Sequence, residues 1–183
     1  MSKSFKNATI GGGCFWCIEA VYKRLNGVVS VRSGFSGGRI KNPTYREVCT
    51  GRTGHAEVCD IQYNPEQVTF KDILQVFWEV HDPTTLNRQG KDVGTHYRSV
   101  VFVHDEEQRI TAEKMKAKLE KTVFKDPVVT EITDFTNFYP AEDYHNDYYD
   151  IHTEEPYCRI VIQPKVEKFN RIFTSQLKKK AED

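Results

Sequence analysis

Apolar residues recur along this chain with two periods. At helical spacing, Phe15, Ile18, Val21, Tyr22 and Leu25 form one stripe, which predicts a helix over 15–25 stopped by Asn26-Gly27. Phe70, Ile73, Leu74, Phe77 and Val80 form a second over 70–81, capped by Thr69 and ended by Asp82-Pro83. Asp105 with Gln108 makes a capping box for a helix over 106–122. Pro164 opens a last helix, about 164–180, striped by Val166, Phe169, Ile172, Phe173 and Leu177.

Strands follow from extended or alternating runs at 7–10, 28–35, 55–63 and 128–135, and from a short run at 158–162. The unbroken apolar run 99–103 predicts a strand covered on both faces. Within 55–63, Glu57, Cys59, Ile61 and Tyr63 share the more apolar face, which draws a carboxylate inward. Polar, turn-rich loops at 42–54 and 84–94 are expected to line a site. Uneven alternation of strands and helices, with no internal repeat or low-complexity linker, predicts an α/β (α+β) fold. The expected form is a two-layer sandwich around a mixed sheet, in one catalytic domain over 1–183.

Composition narrows the function classes. Lys and Arg number 26 against 26 Asp and Glu, so neither nucleic acid nor an anionic membrane is an expected partner. The one basic run, Lys178-Lys179-Lys180, reads as a solvated terminus, and residues 1–6 lack the apolar core of a secretion signal. No apolar stretch reaches the roughly 18–20 residues that span a bilayer. Five cysteines scattered along the chain do not make a secreted disulfide framework, so the expected compartment is the reducing cytoplasm.

Chemistry concentrates at Gly11-Gly12-Gly13-Cys14-Phe15-Trp16-Cys17. A strand running into three glycines and then a helix puts Cys14 at a helix N-terminus, where a thiolate is favoured and a pKa of roughly 3.5–7.5 is expected. The glycines leave the sulfur open to approach. Cys14 and Cys17 form a C-x-x-C pair, but the remaining cysteines lack the spacing of a zinc site, so no metal is expected. Glu57, drawn to an apolar face, is the acid candidate, because burial keeps a carboxyl protonated near neutrality. Asp92 lies in a glycine-containing loop, and Tyr45 and Tyr97 are phenol donors at the ends of polar loops. His145 and Tyr148 lie three apart on an expected helix in the aromatic stretch 137–152. No phosphate loop or dinucleotide fingerprint follows the glycines, so no nucleotide cofactor is expected.

Gly13-Cys14-Phe15-Trp16, Asn42-Pro43-Thr44-Tyr45, Gly54-His55-Ala56-Glu57, Asp82-Pro83-Thr84, Gly94-Thr95-His96-Tyr97-Arg98-Ser99, Asn137 to Glu142 and Tyr157-Cys158 occur in this order. Together they resemble the A-type peptide methionine sulfoxide reductases, over a core of about 8–163. The resemblance implies a two-layer α/β sandwich and reduction of methionine-S-sulfoxide, free or in proteins, without cofactor or metal. It implies Cys14 as nucleophile, Glu57 as acid, and Tyr45 and Tyr97 as donors to the sulfoxide oxygen. Phe15 and Trp16 would hold the substrate methyl group, with Asp92, His145 and Tyr148 in the substrate pocket. Cys14 would end as a sulfenic acid, a second cysteine would condense with it, and thioredoxin would reduce the disulfide. Cys158 matches the usual resolving position and Cys17 lies one helical turn from the nucleophile, so both stand. A monomer is expected. The competing readings are a C-x-x-C thiol-disulfide oxidoreductase and a redox-sensing domain.

Overall fold

The computed structural model describes residues 4–179; the start of the N-terminal segment and Lys180 of the basic run lie outside them. The principal sheet has six strands: β1 (Lys6–Gly11), β2 (Val28–Ser36), β3 (Ala56–Tyr63), β6 (Val100–Val103), β7 (Glu131–Asp134) and β8 (Tyr139–Pro140). Their order is β7-β6-β1-β3-β2-β8, and every pairing is antiparallel except β6 with β7, so the sheet is mixed. A two-stranded hairpin, β4 (Arg88–Gln89) with β5 (Asp92–Val93), stands apart from it. The helices are α1 (Phe15–Tyr22), α2 (Tyr45–Cys49), α3 (Phe70–Val80), α4 (Glu106–Thr122), α5 (Tyr148–Ile151) and α6 (Gln163–Ile172). No helix among the described residues is long and apolar enough to cross a membrane.

The alternation in β3 decides which side carries the site. Cys59, Ile61 and Tyr63 join Ala8, Ile10, Val101 and the stripes of α1, α3 and α6 in the main core. Ala56 and Val58 point the other way, onto Val100 and Phe102 beneath Phe135 and Phe138. Glu57 is therefore carried into the helix-covered face with no apolar residue to replace it, and is only 1% exposed.

Several local expectations change. The loop 42–54 contains α2, started by a capping box in which Thr44 Oγ1 accepts from the Glu47 amide and Glu47 Oε2 accepts from the Thr44 amide. The run 158–162 is a wide helical turn feeding α6, not a strand. Cys158 and Ile162 join the main core, while Ile160 points out and is 73% exposed. The aromatic stretch breaks at Asp147, whose φ of 58° separates a 3₁₀ turn at Asp143–His145 from α5, so His145 and Tyr148 share no helix. The last helix ends at Ile172 and gives way to a 3₁₀ turn, Thr174–Gln176, short of the expected 164–180.

Candidate active site

β1 delivers the chain to Gly11, and two more glycines turn it into α1. Gly13 has φ of +91°, and a Cβ there would lie 2.7 Å from Gln89 Cγ, so the turn and the hairpin packed on it both require glycine. Cys14 follows as the N-cap, with no side-chain cap of its own. It is buried, 5% exposed, contrary to the expectation that three glycines would open it to solvent.

The free amides of the first turn go to a carboxylate. Phe15 N donates to Glu57 Oε2 at 3.1 Å, while Glu57 Oε1 is buried without a partner. Burial raises the Glu57 pKa to about 8, opposed by the Phe15 amide and assisted by the charge of Asp92. Glu57 is thus a protonated acid at neutral pH with one oxygen free.

The same burial works on the nucleophile. The Cys14 thiol is held well above its ordinary value, first by burial, then by its hydrogen bond with Cys17 and by Glu57. The helix-start lowering expected for Cys14 is outweighed. Cys17 moves down to about 7, chiefly through the hydrogen bond from Cys14, so the pair holds one proton more readily than two. Cys17 Sγ also lies 3.9 Å from the Tyr157 hydroxyl, which donates to Asp92 Oδ2 at 2.7 Å. Asp92 sits in β5, so the hairpin reaches the second sulfur through a tyrosine.

Aromatic rings wall the same place. Trp16 stacks on Tyr148 with centroids 3.7 Å apart and an interplanar angle of 4°, and its Nε1 donates to His145 Nδ1 at 3.1 Å. His145 is fully buried, burial lowers its pKa, and Nε2 has no partner. Phe15 lies under Trp16, Tyr45 and His145, with centroids 5.2–6.5 Å away. Tyr45 opens α2, its amide held by Glu142 Oε1 at 3.0 Å, and Tyr97 closes a 3₁₀ turn at Thr95–Tyr97. Burial first, and then the Glu57 charge, hold both phenols strongly protonated. They can donate hydrogen bonds but not ionise.

The structure therefore gathers Cys14, Cys17, Glu57, Tyr45, Tyr97, Phe15, Trp16, Asp92, His145 and Tyr148 around the start of α1. Cys158 is fully buried in the turn before α6, packed with the main core, and burial raises its thiol pKa. Cys59 is also buried, its Sγ 3.5 Å from the Phe15 carbonyl. Cys49 is exposed and hydrogen-bonded to the Tyr45 side chain. Sequence reading overlooked Tyr157 and Glu142 as supports, although both lie in the motifs quoted above.

A buried acid with a free oxygen, two protonated phenols and a dithiol at one apolar wall can take an oxygen atom from a sulfur centre. Comparison with known proteins gives the family. Residues 6–177 match the model of the family described as peptide methionine sulfoxide reductase. The chain belongs to this family. It is 57% identical over 171 residues to the peptide methionine sulfoxide reductase MsrA of Saccharolobus solfataricus, covering 93% of this chain and 96% of that one. Reduced Mxr1 from Saccharomyces cerevisiae has a similar structure, with TM-score 0.79 and 35% identity over 84% of this chain and 89% of that chain. Mxr1 in complex with Trx2 matches with TM-score 0.57 and 25% identity, over 81% and 89% of the two chains. The mixed sheet with helices packed on it is the architecture these relatives share.

Proposed function

We propose that this chain reduces methionine-S-sulfoxide, free and in proteins, through Cys14, and that Cys17 resolves the product. The observation that carries the reading is the free Oε1 of protonated Glu57, held at the N-terminus of the nucleophile's own helix.

The Cys14 sulfur attacks the sulfoxide sulfur after passing its proton to Cys17 through their hydrogen bond. Negative charge that grows on the sulfoxide oxygen meets the Glu57 proton and the Tyr45 and Tyr97 hydroxyls. The sulfoxide sulfur–oxygen bond and the new sulfur–sulfur bond both break as oxygen passes to Cys14 with the Glu57 proton, leaving Cys14 as sulfenic acid and Glu57 as carboxylate, and methionine leaves. Cys17 then gives the proton it took from Cys14 to the Glu57 carboxylate and attacks the Cys14 sulfur; the sulfenic oxygen leaves as water with that proton, and a Cys14–Cys17 disulfide remains. Phe15 and the Trp16–Tyr148 stack receive the substrate methyl group, with His145 fixing the indole and Asp92 orienting Tyr157 against Cys17. The sulfur contact between Cys14 and Cys17 supports Cys17 as resolving residue over Cys158, which lies in the turn before α6.

The Trx2 complex of the yeast relative supports a thioredoxin as the reductant. Action as a single-domain cytoplasmic monomer that repairs oxidised protein completes the reading.

Stoichiometric treatment with a methyl sulfoxide followed by mass spectrometry tests it. The expected product is one methionine per chain and a Cys14–Cys17 disulfide. Cys17→Ser should leave a sulfenic acid that dimedone traps, and Cys14→Ser should abolish turnover. A Cys14–Cys158 disulfide would reassign resolution. Reduction of insulin without sulfoxide turnover would favour a C-x-x-C disulfide oxidoreductase instead.

A further inference from the structure

A second kind of chemistry converges on the free side of Glu57. Cys49 Sγ, a Glu57 carboxylate oxygen and one His96 ring nitrogen all lie within 4.8 Å of one another. Two of the three are buried side chains with an unpartnered polar atom: Glu57, 1% exposed, with Oε1 free, and His96, 6% exposed, with Nδ1 free. The third, Cys49, is exposed at the end of α2 and gives solvent a way in. His96 is set by Gly94, where φ is +150° and a Cβ would lie 2.5 Å from His96 Cε1. No other residue at that position would leave the imidazole where it is.

We propose that these three side chains bind a borderline divalent cation, zinc, at the acid of the reductase, and that the bound ion inhibits the enzyme. The inference rests on the reading of Glu57 as that acid. One thiolate, one imidazole and one carboxylate form a three-ligand set of the type zinc takes, with a fourth position left for water. Tetrahedral zinc would place these donors about 3.3–3.6 Å apart, a closure of at most about 1.2–1.5 Å from the 4.8 Å limit, within reach of the exposed Cys49 side chain. The charges fit as well. A thiolate and a carboxylate neutralise the ion, and His96, kept neutral by burial, has a lone pair to offer. Binding releases the protons of Cys49 and Glu57, so it removes the proton the sulfoxide oxygen needs and occupies the oxygen that faces substrate. Zinc therefore competes with the sulfoxide.

The test uses reduced, chelator-treated full chain titrated with zinc chloride by calorimetry, and with cobalt(II) to read sulfur-to-metal charge transfer. The expected result is one ion per chain, with affinity reduced at least tenfold in Cys49→Ser and in His96→Asn, and sulfoxide turnover less sensitive to zinc in both. Cys14→Ser and Cys17→Ser keep the ion, because neither sulfur belongs to the set. Absence of binding, or binding that survives in Cys49→Ser and His96→Asn but is lost in the Cys14 or Cys17 variant, overturns the proposal. Sulfoxide turnover without zinc is measured separately, so failure of the catalytic reading would show there and not in the titration.

Discussion

The Phe15 amide donates to Glu57 Oε2 at 3.1 Å, joining the first residue of α1 to the start of the central strand β3. An amide at a helix start ordinarily stabilises an anion. Here it is used on the acid, and burial still outweighs it, leaving Glu57 protonated to about 8. The bond aims one oxygen at the helix and frees the other. Nucleophile and acid are set by the same turn of backbone.

Glu57→Gln keeps an oxygen to accept from Phe15 and removes the transferable proton. The single-turnover rate of sulfenic acid formation should fall by about 10²–10⁴, the usual worth of a positioned acid, with little change in substrate affinity. In the native enzyme the same rate should decline above pH 8 as Glu57 ionises, and that limb should vanish in the variant. Rapid-quench measurements across pH 6–10 on both proteins check this; a rate within a few-fold of the native one would remove Glu57 from the acid role.

The thiol pair gives a second expectation. Iodoacetamide should react with the native protein along a profile rising through about pH 7, the value to which Cys17 is lowered by its bond from Cys14. In Cys17→Ser the remaining thiol of the pair is Cys14, held up by burial, and its profile, separated from that of exposed Cys49 by mapping, should move above the ordinary thiol range of roughly 8.5. Peptide mapping of the alkylated cysteine follows both. An unchanged profile in Cys17→Ser would mean that the two sulfurs do not share a proton.

Much of this was legible in the residue pattern, and what was not has physical causes. The period-two alternation of 55–63 placed Glu57 on the core face because strand geometry leaves no other side, and Asp105 with Gln108 located α4, whose Asp105 Oδ1 accepts from the Gln108 amide at 2.8 Å. The Thr44–Glu47 box carried the same signal for α2 and was hidden by the polar composition around it. Cys158 to Ile162 looked like a strand because four apolar or β-branched residues satisfy either geometry. The raised Cys14 pKa could not be read from a helix start alone, since it follows from burial beneath long-range neighbours such as Glu57 and the hairpin. Tyr157 escaped notice for the same reason: its partners Cys17 and Asp92 lie 140 and 65 positions away.

The Trp16–Tyr148 stack predicts a binding effect separable from chemistry. Tyr148→Ala removes a ring lying 3.7 Å from the indole, an interaction of about 0.5–1.5 kcal/mol, and leaves the Trp16–His145 bond in place. KM for a sulfoxide peptide should rise about 2- to 10-fold with kcat little changed. Steady-state kinetics decide it; a loss confined to kcat would assign Tyr148 to the reaction rather than to substrate binding.

Glu19 predicts how stability depends on pH. It is 3% exposed on α1, accepts from Ser33 Oγ and from the Asp147 amide, and is raised by burial to about 7. Unfolded, it would titrate near 4.3. The native state then holds a proton that the unfolded chain has lost, so its contribution is fully present below about pH 4 and is lost as pH rises through 7. Roughly 2 kcal/mol should disappear across that window, after allowing for partial solvent screening. Glu57 adds a loss of the same sign that continues to about 8. Glu19→Gln keeps an oxygen for the Asp147 amide and carries no charge at any pH. The variant should match the native protein at pH 4 and below, exceed it in stability at pH 8, and retain the part of the slope due to Glu57. Urea unfolding at half-unit pH intervals measures both slopes, and parallel curves would show that Glu19 is ionised in the folded protein throughout.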